Sequence, residues 1–367
     1  MLPILGLLSI GLVMMFSTSS IVGYANYNDA YFFIKRHFIY LFLAIAAFFV
    51  GFITPHEWYK KMLSGSFVAS VILLLLTLSP LGVSIGGAKR WLNLGFLQFQ
   101  PVEFVKFTTI VLLAVYLDRS KAILNNFRKG VLPIVLLLSL LLVLLILQPD
   151  LGNIGLIILV TLALLFLSFV PMRHILSLCS LATLAVSLSI LTHPYQMQRI
   201  TGFLDPWADP LGKNYHIVQS LIAIGSGGFF GLGLGESKLK FFYLPLHYSD
   251  FIFSIICEEG GFLLASLVIV LFFLFLFRVY STLKKCRSLY SFYLGMGAAF
   301  LICFQAFINI AVVIGLFPIT GIPLTFISFG GTSLIMSLFL VGIILNIANR
   351  VVLKSHDFEV KKQHDSA

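Results

Sequence analysis

Ten long apolar stretches constrain this chain more than any other feature of its sequence. They cover residues 2–22, 37–54, 63–83, 101–117, 131–148, 153–170, 174–191, 251–277, 289–316 and 333–349. A helix needs roughly 20 apolar residues to cross the bilayer core. Only 10% of the residues are charged, whereas soluble proteins carry about 25%. The sequence therefore predicts an all-α, polytopic integral membrane protein with ten transmembrane helices.

The basic residues between these stretches predict the orientation of the chain. When the loops are assigned alternately to two sides, one side and the C-terminal tail carry fifteen Lys and Arg residues, and the other side carries eight. Lys and Arg are enriched in short cytoplasmic loops, so we expect both termini to be cytoplasmic. The long loop 192–250, between helices 7 and 8, is then extracytoplasmic. We expect one transmembrane domain (1–350) and a cytoplasmic tail (351–367).

The remaining composition excludes some classes of site. The net charge of +10 comes from these loops, so it reports membrane orientation and predicts no nucleic-acid partner. The four cysteines lie in or beside apolar segments without paired spacing, which indicates neither a disulfide framework nor a zinc site.

Asp250 is the sharpest functional candidate in the long loop. It lies beside Ser249 and near His247, immediately before the eighth stretch. One interpretation is that its carboxylate caps the following helix. The other is that it acts as a general base for a hydroxyl group at the outer membrane surface.

A second outer loop contains two adjacent cations, Lys89 and Arg90, followed by Trp91. These residues could anchor the chain at the membrane interface. They could equally form a cationic site for an anionic lipid headgroup. Both interpretations are open from the residues alone.

Charged residues inside the stretches need partners, because a charge at membrane depth is costly. Glu103 and Lys106 are three residues apart, so we expect them to pair on one helical face. If Lys106 is the only base for Glu103, Glu258 and Glu259, at least one or two of these acids must be protonated or bonded to neutral groups. Asn309 and Gln305 are possible partners. Other residues have simpler expected roles: Asp150 as a helix cap, the glycines of 225–235 in close packing, and the Pro- and Gly-rich segment 317–333 as a cavity wall.

Seven of these motifs together resemble the SEDS family (shape, elongation, division and sporulation), which includes FtsW, RodA and SpoVE. They are residues 87–91, 100–106, 148–152, 205–207, 215–235, 243–259 and 318–332, and the resemblance extends from Met14 to about Arg350. The sequence departs from the family pattern at Leu246, where the family commonly has Glu. Asn153, Phe329 and Thr332 also replace its usual residues.

The resemblance implies a bacterial inner-membrane enzyme with ten helices and cytoplasmic termini. Such an enzyme polymerises lipid II into peptidoglycan glycan strands, together with a class B penicillin-binding protein that crosslinks them and with other division or elongation proteins. By motif match the catalytic aspartate is Asp250. We expect Lys89, Arg90, Trp91, Arg199 and His247 to bind the substrate, possible assistance from a divalent cation (Mg²⁺ or Mn²⁺), and no organic cofactor.

Three alternatives to septal synthesis by an FtsW-like protein are open. Residues 204–207, 231–235 and 249–250 favour the FtsW branch, and residues 87–91 and 215–217 favour RodA, an elongation polymerase with the same chemistry. The intramembrane charges also suit a lipid II flippase, although the two halves contain no clear inverted repeat. The basic loops suit a non-catalytic division scaffold.

Overall fold

The structure is a computed structural model that describes residues 1–85, 88–93, 95, 98–192, 194–212, 214–237 and 249–364. It is mainly helical, with a small sheet. The helices are α1 (Leu2–Tyr27), α2 (Phe32–Ile53), α3 (Glu57–Lys61), α4 (Leu63–Leu78), α5 (Pro101–Ser120), α6 (Leu132–Ile146), α7 (Leu151–Leu167), α8 (Met172–Thr192), α9 (Pro194–Leu204), α10 (Tyr215–Gly227), α11 (Ile252–Leu283), α12 (Leu289–Val313) and α13 (Gly331–His364).

Each apolar stretch of the sequence coincides with one of these helices. Among the described residues, seven helices are long and apolar enough to cross a membrane, and α4 and α7 are shorter apolar helices. The fifth and sixth stretches form separate helices, α6 and α7. Helix α5 is different, because it carries four charged residues and is buried on most of its surface. A buried position among other helices shields such charges from lipid.

The prediction of an all-α chain is wrong in one loop, and the third helix is five residues shorter than predicted. Helix α4 ends at Leu78, and Ser79 has an extended backbone (φ −73°, ψ 176°), as expected before a proline. Strands β1 (Gly82–Ile85), β2 (Ala88–Asn93) and β3 (Gln98–Phe99) follow. They pair antiparallel in the order β1-β2-β3. The sheet places Lys89, Arg90 and Trp91 on its central strand.

The hydrophobic core surrounds α12, which packs against α5, α7, α11 and α13. Aromatic rings join neighbouring helices, as where Tyr59 contacts Phe107 and Phe339 at centroid distances of 5.6 and 5.9 Å. These edge-to-face contacts are typical of aromatic cores. They fix the helices relative to one another, and the loops before α11 and after α12 extend from these helices.

Helix α11 is broken at Gly261, where the backbone has φ 64° and ψ −166°. The glycine run after α10 fills this break. Leu232 N–H donates to Glu258 O (2.9 Å), Gly233 N–H to Glu259 O (3.0 Å), and Phe262 N–H to Gly228 O (3.0 Å). These bonds pair backbone groups that a broken helix leaves open. The prediction that the glycines serve close packing is confirmed for Gly227 and Gly231, where a Cβ would overlap the backbone of α11, but not for Gly225 and Gly228, which have open space beside them.

Candidate active site

A cavity of about 480 Å³ lies beside Asp250. Four segments form its walls: α9, the start of α10, the residues just before α11, and the turn 317–321. Asp250, Arg199, His216 and Asn214 line it among others. Segment 317–321 is part of the Pro- and Gly-rich segment, so the prediction that this segment forms a cavity wall is confirmed.

Side-chain hydrogen bonds to backbone carbonyls fix the position of Asp250. The amide Nδ2 of Asn309 on α12 donates to Asp250 O (2.7 Å) and to Ile322 O (2.8 Å). One residue earlier, Ser328 Oγ donates to Ser249 O (2.6 Å). These three bonds tie the turn before α11 to α12 and to the broken segment. None of these three bonds uses the carboxylate of Asp250.

The interpretation of Asp250 as a helix cap is wrong. The N-cap of α11 is Phe251, and no side chain makes a cap hydrogen bond there. A capping carboxylate would accept a bond from an amide of the first turn. Instead the Asp250 side chain is half-buried at the cavity wall.

The pKa of Asp250 is raised to about 6. Burial is the largest cause, because desolvation disfavours the charged carboxylate. A hydrogen bond with Ser249 and the positive charges of Arg199 and Arg90 partly offset this effect. A carboxyl group with a pKa near 6 is mostly ionised at pH 7 and is a stronger base than an ordinary aspartate.

Arg199 on α9 is held in the cavity wall by the turn 317–321. Its Nη1 donates to Ile319 O (2.9 Å). Helix α9 is joined to the start of α10 by Asn214, whose Nδ2 donates to Asp205 O (3.0 Å) and whose side chain packs directly on Gly202. The predicted cation Arg199 therefore lies in the same cavity as Asp250.

Arg90 lies beside the turn between α6 and α7. It donates to Gln148 O (3.4 Å) and to Pro149 O, and its Nη1 is 3.9 Å from Asp150 Oδ1. Asp150 also caps α7 by accepting a bond from Asn153 N–H, so the predicted cap is confirmed. The charge of Arg90 still lowers the pKa of Asp250.

The other two residues of the Lys89–Trp91 motif are placed differently from Arg90. On strand β2, Lys89 is exposed and Trp91 is half-buried. Neither lines the cavity among the residues that the structure describes. Their predicted contacts with substrate stay predictions.

Within the part of the chain that the structure describes, the charged side chains inside the helices have both charged and neutral partners. Lys106 donates to Glu103 (2.8 Å) and to Gln305 Oε1 (2.9 Å), so the predicted pair is confirmed. Ser17 donates to Glu259 (2.8 Å) and Ser237 to Glu258. The suggestion that Asn309 pairs with these acids is wrong, because its Nδ2 binds the backbone of the turn before α11. Gln305 accepts a hydrogen bond from Lys106, which is itself paired with Glu103.

Two further predictions concern His247 and a divalent cation. His247 lies outside the described residues. Among the described residues, no group of three or more His, Cys, Asp or Glu side chains could hold a metal ion. Of the described residues that line the cavity, one carries a carboxylate and one carries a guanidinium, a set that fits an anion better than a resident cation.

Sequence reasoning missed the role of Asn309 at the turn before α11 and the position of His216. The sequence indicates Asn309 only as a possible partner of the intramembrane acids. His216 lies inside the recognised motif 215–235, and that motif was the available signal. Its distance in sequence from Phe251, on which its ring stacks, hid this position.

The chain is similar to known proteins over nearly its whole length. A family model described as "Cell cycle protein" and named for FtsW, RodA and SpoVE matches residues 1–352. Stage V sporulation protein E of Bacillus subtilis (strain 168) is 36% identical over 347 residues, covering 93% of this chain and 94% of that protein. The probable peptidoglycan glycosyltransferase FtsW of Coxiella burnetii is 39% identical over 348 residues, covering 94% of each.

A solved structure also resembles the fold. It belongs to a study of how a peptidoglycan synthase complex coordinates polymerization and crosslinking. The matching chain superimposes with a TM-score of 0.77 and 27% identity, covering 95% of this chain and 96% of that one.

Proposed function

This chain belongs to the FtsW/RodA/SpoVE family of cell cycle proteins, and from that membership and the geometry at Asp250 we propose how it works. It is a peptidoglycan glycosyltransferase that polymerises lipid II into glycan strands. One observation carries the assignment of the site: a carboxylate with a raised pKa lines a cavity together with a cation.

Asp250 is the general base of this reaction. It takes the proton from the 4-hydroxyl of an acceptor GlcNAc as that oxygen attacks the anomeric carbon of a lipid-linked MurNAc. The new C–O bond forms while the bond from the anomeric carbon to the pyrophosphate oxygen breaks. Configuration inverts, and undecaprenyl pyrophosphate leaves with the electron pair. A positioned base contributes roughly 10²- to 10⁴-fold in rate.

Arg199 and Arg90 stabilise the departing pyrophosphate, and Lys89, on the same strand as Arg90, adds positive charge. Fixed cations aimed at developing charge lower the barrier in a partly dehydrated site. Arg199 lies in the cavity wall, and the charge of Arg90 lowers the pKa of Asp250. We place a divalent cation, Mg²⁺ or Mn²⁺, with the substrate pyrophosphate and not in a resident protein site, because the described residues contain no suitable set of ligands.

We further propose that ten helices cross the bacterial inner membrane, with both termini in the cytoplasm. The coincidence of helices with all of the apolar stretches supports this count. The distribution of Lys and Arg supports the orientation. Loop 192–250, with its cavity, then faces outward, where the lipid-linked sugar is polymerised.

The proposed partner is a class B penicillin-binding protein, which crosslinks the strands. The likeness to a chain of a peptidoglycan synthase complex supports it. Within the family we favour the FtsW branch and synthesis at the division septum. The identity to proteins named FtsW, 39% in one relative, supports this choice over RodA-like elongation.

A polymerisation assay tests the function. Purified protein is mixed with its partner transpeptidase and lipid II in detergent, and glycan polymer is measured on gels. Polymer supports the enzyme, because detergent micelles offer no two membrane sides for a flippase to connect. A matched Asp250→Asn variant controls for contaminating synthases. Equal polymer from both proteins, or none from the wild type, would contradict the proposal.

A further inference from the structure

His216 faces the cavity from the wall next to Asp250. It is the second residue of α10 and is half-buried. Its ring stacks on Phe251, with centroids 5.9 Å apart and an interplanar angle of 12°. Phe251 directly follows Asp250, so the stacking fixes the imidazole beside the base.

The two ring nitrogens of His216 have different surroundings. Nδ1 is sealed from solvent and has no hydrogen-bond partner among the described residues. Nε2 has no such partner there either, but it is not sealed. Because the ring lines the cavity, Nε2 is the nitrogen that a bound molecule can reach.

The proton of the neutral ring belongs on Nε2. A buried N–H without an acceptor costs more than a buried lone pair without a donor, so Nδ1 is the unprotonated nitrogen. Burial and then the nearby charge of Arg199 lower the pKa of His216, which keeps the ring neutral at pH 7. The residue therefore presents one N–H donor to the cavity and no charge.

We propose that His216 binds the acceptor sugar, donating a hydrogen bond from Nε2 to an oxygen of the N-acetylhexosamine whose hydroxyl Asp250 deprotonates. This inference rests on the proposed glycosyl transfer. A neutral donor suits a hydroxyl or N-acetyl carbonyl oxygen, whereas the anionic pyrophosphate is better matched by Arg199. The bond orients the acceptor, so that the attacking hydroxyl points at the base.

Three variants separate this role from a structural one. His216→Gln carries an amide nitrogen near the position of Nε2, His216→Asn carries one near Nδ1, and His216→Phe keeps the stacking on Phe251 but has no donor. Initial rates of lipid II polymerisation are measured with the partner transpeptidase, across lipid II concentrations and from pH 5 to 8. Thermal unfolding of each protein is measured in the same detergent.

We expect His216→Phe and His216→Asn to lose about 10- to 100-fold in kcat/KM, the effect of one lost hydrogen bond in a dehydrated site. His216→Gln is expected to stay within about 3-fold of the wild type. All three should unfold at the temperature of the wild type, and the acid limb of their pH profiles should stay near 6, where Asp250 titrates.

The proposal is overturned if His216→Phe polymerises at the wild-type kcat/KM, or if His216→Gln is as impaired as His216→Phe. Loss of the acid limb in His216→Phe would also overturn it, because His216 would then be the base. Asp250→Asn is measured in parallel. If that variant is fully active, the function proposed for Asp250 fails. If it is inactive while His216→Phe is normal, only the inference about His216 fails.

Discussion

Replacing Asp250 with Asn should remove most of the activity and yet stabilise the fold at neutral pH. The change keeps the shape of the side chain. It also keeps the bond from Asn309, which binds the backbone carbonyl of residue 250 and not its carboxylate. The fold is therefore expected to survive the substitution, and only the proton acceptor is lost.

The activity effect follows from the role of the base. Without a positioned base, the rate should fall about 10²- to 10⁴-fold. In the wild type, the rate should decline as pH falls through about 6, the pKa of Asp250. The Asn variant should keep a small residual rate with no such decline.

The stability effect has the opposite sign. The pKa of Asp250 is raised from 3.8 to about 6, so the protonated carboxyl group contributes stability that is present below 3.8 and lost as pH rises through 6. The full difference corresponds to about 3 kcal/mol. Partial exposure reduces it to about 1–2 kcal/mol. Asn does not ionise, so at pH 8 the variant should be more stable by this amount.

The assay is thermal unfolding in detergent at pH 4 and pH 8, with polymerisation measured on the same preparations. At pH 8, Asp250→Asn should unfold at a higher temperature than the wild type, by roughly 2–4 °C. At pH 4 the two curves should nearly coincide. A gap that is equal at both pH values, or a variant less stable at pH 8, would refute the reasoning about desolvation.

Three further perturbations test other parts of the structure. Lys106→Met should leave Glu103 buried without its partner and destabilise the protein by about 3–5 kcal/mol. Adding Glu103→Gln should restore much of this lost stability, as measured by thermal unfolding. A double variant that is no more stable than Lys106→Met would contradict the pairing. Gly231→Ala should lower the free energy of unfolding by about 1–3 kcal/mol, because φ is 82° and a Cβ there would overlap a carbonyl of α11. The control Gly225→Ala has open space around its Cβ, so its stability should be unchanged or slightly higher. Arg90→Gln should raise the pKa of Asp250, since the Arg90 charge lowers it, and so should move the acid limb of the pH–rate profile to higher pH. A limb that moves to lower pH or stays in place would count against this electrostatic coupling.

Local features of this protein were predictable from its sequence. The helices follow from runs of apolar residues, and each run is readable in a single window. The Glu103–Lys106 pair and the Asp150 cap involve residues three positions apart, which a helix brings together wherever it lies. The break at Gly261 was not anticipated, because its cause is the glycine run that packs against it from another segment.

The site itself depends on contacts that no local pattern encodes. Asn309 and Asp250 are 59 residues apart, and Arg90 is 58 residues from the carbonyl of Gln148 that it contacts. Apolar length says where helices lie but not which of them are neighbours. The small sheet was missed for a related reason, since its strands are short and are stabilised by pairing with each other.

Substrate binding should itself strengthen the base. In the free protein, the charges of Arg199 and Arg90 hold the pKa of Asp250 below the value that burial alone would give. On the proposed function, the pyrophosphate of lipid II brings negative charge to these two cations and offsets their effect on the carboxylate. The pKa of Asp250 should then rise above 6 in the complex. Because kcat/KM reports the free enzyme and kcat reports the complex, the acid limb of kcat should lie at higher pH than that of kcat/KM. Coincident limbs would mean that the pyrophosphate does not bind at these arginines, and a limb of kcat at lower pH would mean that the bound substrate adds positive charge or hydrogen-bond donors at Asp250.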